Sequence, residues 1–510
     1  MKAFLMYKDR DFDLQRPLPA NEAALTQDLE LETLFGAMAL GDRFLFEVAR
    51  KAVLSGEGDL DTIRYRQDIL SDCLKNPAVV REIYHIPIES AENKRKRWLG
   101  VFAMSPSGVL HGAVEMLQMF VDLLRRLKTI ADEHADQLDS EGFTRFFAMI
   151  KKELDDEYFA VVQDHLATLR FRGGILLSAE LGKGNEATNY VLRKPQGQHP
   201  HWAKRVLAQR SPVYTFHIHP RDDHGARALG ELRDRGVNLV ANALAQSANH
   251  IDSFLKMLQV ELAFYIGSLN LYEQLAQMGK PVCFPVPVAA DARRHSCAGL
   301  YDVCLALTMK QAVVGSDVAA DNKETVIITG ANQGGKSTFL RSIGLAQLMM
   351  QSGMFVPAES FCANTCERLF THYKRKEDAT MTSGKLDEEL GRMSEIVDHM
   401  TPNALLLFNE SFAATNEREG SEIARQIVSA LVQRHVKVFF VTHLYTLARG
   451  FYDKGMANAV FLVAERRADG ERTFRIIEGE PSQTSYGEDL YARIFGDSEP
   501  DEIERAAETN

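Results

Sequence analysis

The sequence predicts a multidomain chain. Mostly α-helical core and arm segments carry a small β-rich insertion, and an α/β domain follows. Three observations predict this. Apolar residues recur at helical spacing through most of residues 1–169 and 222–285. Residues 170–221 instead break into short, glycine-punctuated, alternating pieces. Beyond a proline-rich boundary, strand-like and helix-like segments alternate, the pattern of an α/β domain. The expected divisions are therefore 1–169, 170–221, 222–285 and 286–510. With 510 residues, 45% of them hydrophobic and 25% charged, the composition is that of an ordinary globular protein and excludes fibrous and disordered classes.

In the N-terminal region, Leu117, Phe120, Val121, Leu124, Leu127 and Ile130 line one helix face. Similar amphipathic stretches run from about Glu30 to Arg81 and from Gly142 to Leu169. The run Lys94-Arg95-Lys96-Arg97-Trp98 is basic, but such runs are usually solvated helix faces. In the insertion, ILLSAEL, NYVLR and VYTFHIH read as strand pieces. No Asp or Glu occurs from Ala187 to Arg221, although the chain has 70 acids and a net charge of −11. That window holds Arg193, Lys194, Lys204 and Arg205, the candidate contacts for a polyanion. Its histidines His199, His201, His217 and His219 lack a metal-ligand spacing. Long helical periodicity returns in IDSFLKMLQVELAFYIGSLNLYEQL, and PVCFPVPVAADARR marks the boundary.

The α/β region is organised around Thr325–Arg341, TVIITGANQGGKSTFLR. A β-branched run ends in Gly330, Ala331, Asn332, Gln333, Gly334, Gly335, Lys336, Ser337 and Thr338, the G-x-x-x-x-G-K-[ST] phosphate loop. Backbone N–H groups and a helix N-terminus would cradle phosphates. Lys336 would reach the outer phosphates and Ser337 would ligate Mg²⁺, so the expected cofactors are ATP and Mg²⁺. Hydrolysis needs a second strand that ends in an acid. Ala404-Leu-Leu-Leu-Phe-Asn-Glu410 supplies Asn409 and Glu410, with Glu410 placed to orient or deprotonate water. A third strand, VKVFFVTH, ends in His443, the position of a γ-phosphate sensor in ATP-binding-cassette-type domains. The expected catalytic set is Glu410, His443 and Lys336; the metal set is Ser337, Asn409 and Glu410.

With these segments in view, the sequence resembles the MutS family. ITGANQGGKSTFLRSIGLAQ, GMFVPAES, ERLFTH, ALLLFNES, VFFVTHLYTLA and TSYGEDL (Thr484–Leu490) follow that family's order. The match is close from about Leu300 to Phe495 and looser upstream, where RYRQDIL and residues 222–280 look like core and lever helices. The resemblance implies that 1–169 is a helical core/lever region, 170–221 a DNA-clamp-like insertion, 222–285 a core segment returning to the head, and 286–510 a MutS-type P-loop ATPase domain of ATP-binding-cassette type. It implies a homodimer whose nucleotide state governs helical arms embracing DNA by structure rather than sequence.

Several departures modify that expectation. The family's strand-end Asp-Glu is here Asn409-Glu410, which predicts weaker Mg²⁺ binding and slow hydrolysis. The following Ser411-Phe-Ala-Ala-Thr415-Asn416 lacks the family's glycine and arginine. The trans-acting signature serine has no clean counterpart: Gly384 stands at its place in TSGKLDEEL, with Ser383 beside it. No Phe-x-Glu wedge precedes residue 320, so direct mismatch reading by that route is not expected, nor is there room for both mismatch and connector domains.

The leading expectation is thus a slow, DNA-binding ATPase of the repair and recombination type. The alternative is a nucleotide-gated structural or interaction protein with negligible hydrolysis and a protein ligand. A small-molecule P-loop kinase would leave the upstream residues, His443 and the TSYG segment without a role. The scattered cysteines predict free thiols. The short apolar stretch at the N-terminus and the absence of an 18-residue apolar run predict a cytoplasmic protein with no membrane association.

Overall fold

A computed structural model describes residues 1–98, 105–194, 214–375, 384–467 and 471–481, with the side chains of Arg97 and Trp98 excepted. In chain order its helices begin with α1 (Glu22–Asp28), α2 (Leu31–Ala39), α3 (Arg43–Leu54) and α4 (Leu60–Lys75). Then come α5 (Pro77–Trp98), α6 (Pro106–His134), α7 (Glu141–Glu153) and α8 (Asp156–Leu169). A hairpin of β1 (Leu176–Leu181) and β2 (Ala187–Arg193) precedes the 55-residue helix α9 (Asp223–Gln277). The starts are capped as the sequence dictates. Asp42 accepts from Phe44 N–H and Leu45 N–H, and Ser105 accepts from Gly108 N–H ahead of a first-turn proline.

The chain divides into two compact units. The first comprises residues 1–3, 78–139 and 143–259. All six apolar residues of the predicted α6 face are buried in it. Within this unit Asp252 of α9 bridges Lys94 and Lys256, each at 2.8 Å. The hairpin is antiparallel and largely exposed, Leu181 at 76%. It seats Leu177 against Gly236 of α9, where a Cβ would stand 2.4 Å from the leucine. The expected third strand piece differs: Tyr214–His219 has no regular structure, and Tyr214 and Phe216 are exposed. Among the described residues no strand pairs with it, and alternation alone does not make a strand.

The second unit comprises residues 4–77, 140–142 and 260–510. Its strands are β3 (Val286–Val288), β4 (His295–Leu300), β5 (Ser316–Ala319), β6 (Thr325–Gly330), β7 (Ser360–Asn364) and β8 (Leu369–Tyr373). β9 (Leu405–Asn409), β10 (Lys437–Val441), β11 (Ala459–Arg466) and β12 (Arg472–Glu478) complete the described set. Between them lie α10 (Val303–Met309), α11 (Lys336–Ser352), α12 (Lys385–Asp398), α13 (Glu417–Gln433) and α14 (Tyr445–Tyr452). The main sheet has the order β12-β11-β6-β10-β9-β8, parallel except for β12 at one edge. A second sheet has the order β3-β7-β4-β5. Val326, Ile327, Ile328 and Leu405–Phe408 are buried, the continuous apolar run of strands covered on both faces.

The units cut the chain differently from the expected 1–169 division: residues 4–77 cluster with the α/β domain. The reason is helix α11, buried along most of its length. At Gly344 a Cβ would stand 2.7 Å from Leu29 and 2.8 Å from Leu407, so α11 is wedged between the N-terminal segment and β9. Gln351 Nε2 donates to Glu57 O at 3.0 Å, and Arg66 Nε to Met6 O at 2.8 Å. Hydrophobic periodicity marks an amphipathic helix but not the neighbour that covers its apolar face. All six cysteines are free thiols, as expected.

Candidate functional site

Three adjacent parallel strands deliver the predicted polar residues to one edge. Val441 of β10 lies opposite both Ile328 of β6 and Asn409 of β9. The carboxyl ends of these strands therefore open at one level, where open α/β sheets bind ligands. The loop after β6 turns at Gly330, φ +110°, where a Cβ would stand 2.9 Å from the Ala464 nitrogen. It ends at Gly335, φ +89°, the N-cap of α11. Asn332 and Gln333 are exposed at its crest, and Gln333 is left-handed at φ +56°. The free N–H groups and positive end of α11 face the loop mouth, a ready anion site.

Lys336 is 5% exposed, and its Nζ donates to Gly330 O at 2.9 Å and Ala331 O at 2.8 Å. Burial pushes the ammonium down to about 8; Glu410 opposes that shift and Arg472 adds to it. An anionic ligand would replace two neutral acceptors by charged ones and lift the pKa again. Ser337 Oγ donates to Asn409 Oδ1 at 2.9 Å.

Glu410 follows with φ +55° and donates its N–H to Val441 O at 2.8 Å, which holds it beside β10. There His443 Nε2 donates to Glu410 Oε1 at 2.7 Å. That hydrogen bond holds the carboxyl below its ordinary range, against the opposing effect of burial. Left-handed backbone at a residue other than glycine costs on the order of 1–3 kcal/mol and persists where its surroundings impose it. Lys336, Ser337, Asn409, Glu410 and His443, distant in sequence, thus form one cluster.

Sequence reasoning missed two residues and a cavity. Arg472 of β12 donates to Gln333 Oε1 at 3.4 Å, bringing a cation to the loop. Phe474, also on β12 and at φ +59°, lines a cavity of about 330 Å³ beside Gly335 and Thr338, with Val313, Val314 and Phe339. No motif marks either residue; their position follows from β12 closing the sheet edge.

Of the polyanion candidates, Arg193 donates to Ser178 Oγ at 2.9 Å and Lys194 lies 3.5 Å from Asp164, both exposed in the first unit. Lys204 and Arg205 lie outside the described residues, as do Ser383 and the TSYGEDL segment. Gly384 is the exposed N-cap of α12. His217 and His219 are exposed, and no group of three metal-ligating side chains occurs among the described residues.

Two family models match the chain: the MutS2 N-terminal domain over residues 58–278 and MutS domain V over residues 326–508. The DNA mismatch repair protein MutS of Thermotoga petrophila is 30% identical over 273 residues, 53% of this chain and 33% of that protein. That of Thermotoga neapolitana is 35% identical over 277 residues, 53% of this chain and 34% of its own length. The Listeria monocytogenes protein of the same name is 24% identical over 297 residues, 58% and 34% respectively. The match spans about a third of the length of these curated relatives.

Proposed function

The chain belongs to the MutS family, and on that premise we propose that it is an ATP-dependent DNA-binding protein with slow ATP hydrolysis. The observation that carries this reading is the meeting of Lys336, Ser337, Asn409, Glu410 and His443 at the ends of β6, β9 and β10. The residues fit ATP: a glycine loop at a helix N-terminus for phosphates, and an apolar cavity adjoining Thr338 and Phe474 for a flat base. They also fit Mg²⁺, since Ser337, Asn409 and Glu410 offer hard oxygen donors including one carboxylate.

When bound, Mg²⁺ would offset charge on the phosphate oxygens. The chain's own groups do the rest. Lys336 moves from its loop carbonyls to phosphate. Glu410, kept ionised by His443, accepts a proton from water, and His443 holds that carboxylate in place. Asn409 orients Ser337 but brings no charge, which is why hydrolysis is slow.

Homodimerisation completing each site, a cytoplasmic location and DNA contact through phosphates of bent or branched duplexes belong to the same proposal. The dimer rests on the family alone. For location the support is that no helix among the described residues is long and apolar enough to cross a membrane. The neutral amide of Asn409 at Ser337 favours one second reading, a nucleotide-gated interaction protein with negligible turnover.

Steady-state ATP hydrolysis with Mg²⁺, on homoduplex, mismatched and branched DNA, separates the two. DNA-modulated turnover lost in Glu410→Ala and Lys336→Ala supports the ATPase. Tight ATP binding with no turnover on any DNA supports the second reading. Turnover that persists in Lys336→Ala is a contaminant's.

A further inference from the structure

The loop that carries Glu410 contains a second left-handed residue, Phe412 at φ +62°. Neither residue has the freedom of glycine, so the surroundings must impose both conformations. At Phe412 three contacts do so. Phe412 N–H donates to Glu389 Oε2 of α12 at 2.8 Å, and Glu389 is 1% exposed. The Phe412 carbonyl lies against Gly420 of α13, where a Cβ would be 2.3 Å away. His372 of β8, fully buried, stacks on the Phe412 ring with centroids 5.3 Å apart and planes 18° apart.

The proton arrangement at His372 follows from its partners. Nε2 lies 3.0 Å from the Glu389 backbone oxygen, which can only accept, so Nε2 carries hydrogen. Burial, with Arg392 and Arg375 nearby, pushes the imidazole down to about 4, so the ring is neutral. Ser411 Oγ lies 2.7 Å from Nδ1 and 2.6 Å from the His372 carbonyl oxygen, so its single hydroxyl proton is donated to His372 at one of these two acceptors. The residue after Glu410 is thereby pinned to β8, and the next one to α12. Among the described residues, no hydrogen bond of the His372 or Glu389 side chain reaches the phosphate loop.

The geometry points to Glu389 and His372 as positioning residues that hold Glu410 in its site-facing conformation and couple it to α12. Displacement of α12 is then transmitted to the hydrolytic carboxylate and not to the phosphate-binding loop. The catalytic consequence rests on the reading of Glu410 above; the mechanical link does not.

The test uses the full chain with Glu389→Ala, Glu389→Gln, His372→Ala and Ser411→Ala. Nucleotide affinity, steady-state ATP turnover, thermal unfolding and hydrogen exchange of the peptide spanning 404–416 are measured for each. Glu389→Ala is expected to lower kcat by ~10–100-fold, the scale of a misplaced catalytic group, with nucleotide affinity within about threefold. It should also speed exchange of the Phe412 amide by at least about tenfold, because that N–H loses its acceptor. Glu389→Gln keeps an oxygen acceptor and should restore both readouts to within about fivefold. Combining Glu389→Ala with His372→Ala should cost little more than the worse single change, as expected within one network.

Wild-type turnover and exchange in Glu389→Ala would overturn the proposal. So would a parallel loss of affinity and turnover, or a Gln variant as impaired as Ala. If Glu389→Ala does not fold, Ser411→Ala removes one hydroxyl and should still lower kcat by ~3–10-fold at unchanged affinity; no change would overturn the link. If the wild-type chain hydrolyses no ATP, the catalytic reading of Glu410 fails, while the exchange data still decide the coupling.

Discussion

Replacing Asn409 by Asp tests the proposed slow turnover and its origin most directly. In the structure Asn409 Oδ1 accepts from Ser337 Oγ at 2.9 Å, a bond a carboxylate oxygen can make equally well. The change therefore adds a charge while preserving the contact. Beside the proposed, half-buried Mg²⁺ site, one charged contact is worth about 2–3 kcal/mol, somewhat below the figure for a preorganised transition-state donor. Dividing by 1.36 kcal/mol per decade gives ~30–160-fold.

The half-saturating Mg²⁺ concentration for ATP hydrolysis should fall by that order, with turnover rising. In the absence of Mg²⁺ the sign reverses. The introduced carboxylate sits next in sequence to Glu410, and without the metal only the Lys336 and Lys374 ammonium groups, already shared with Glu410, offset it, so the free protein should melt lower than wild type and the Mg-ATP complex higher. The assay is a Mg²⁺ titration of hydrolysis paired with thermal melts with and without Mg-ATP. An unchanged Mg²⁺ dependence with folded protein would refute the reasoning, because Asn409 would then not face the metal.

Three further outcomes are expected. Lys336 has a folded pKa of about 8, below its ordinary 10.5, so the nucleotide-free fold binds fewer protons than the unfolded chain between those values, and its stability rises with pH across that window. Phosphate should raise that pKa, so ATP binding near pH 9 should take up close to one proton and weaken as pH rises; calorimetry in buffers of different ionisation enthalpy that finds no uptake would contradict this. His443→Ala removes the largest effect lowering the Glu410 pKa, so the acidic limb of the pH–rate profile should move to higher pH; an unmoved limb would mean that Glu410 is not the titrating base. Changing Arg193, Lys194, Lys204 and Arg205 together to Glu should abolish retention on DNA at moderate salt while ATP binding persists, and unchanged retention would sink the clamp assignment.

Much of the site was legible because its chemistry is local. A β-branched strand, a glycine turn and a lysine-serine pair at a helix start have few arrangements, and that helix begins at Lys336. Glu410 and His443 could be assigned because each ends an apolar run that reads as a strand. The hydrogen bond between them was not legible, since it depends on β9 and β10 being neighbours in register. Arg472, Phe474 and the cavity beside Thr338 gave no signal, because β12 has no motif and its role comes from its place at the sheet edge. Tyr214–His219 misled for the converse reason: it alternates without a partner strand among the described residues.

The sequence alone therefore determined the resemblance to the MutS family, the phosphate-loop motif, the acid-bearing strand end and the neutral amide that departs from the family's pattern. Those are properties of residue type and spacing over a few turns of chain. Only the tertiary structure decided that residues 4–77 belong with the α/β unit, that Asn409 meets Ser337, and that Glu389 and His372 brace the loop carrying Glu410. Each of these is a contact between residues far apart in the chain, and its partner is chosen by which buried surfaces pack together rather than by any local preference.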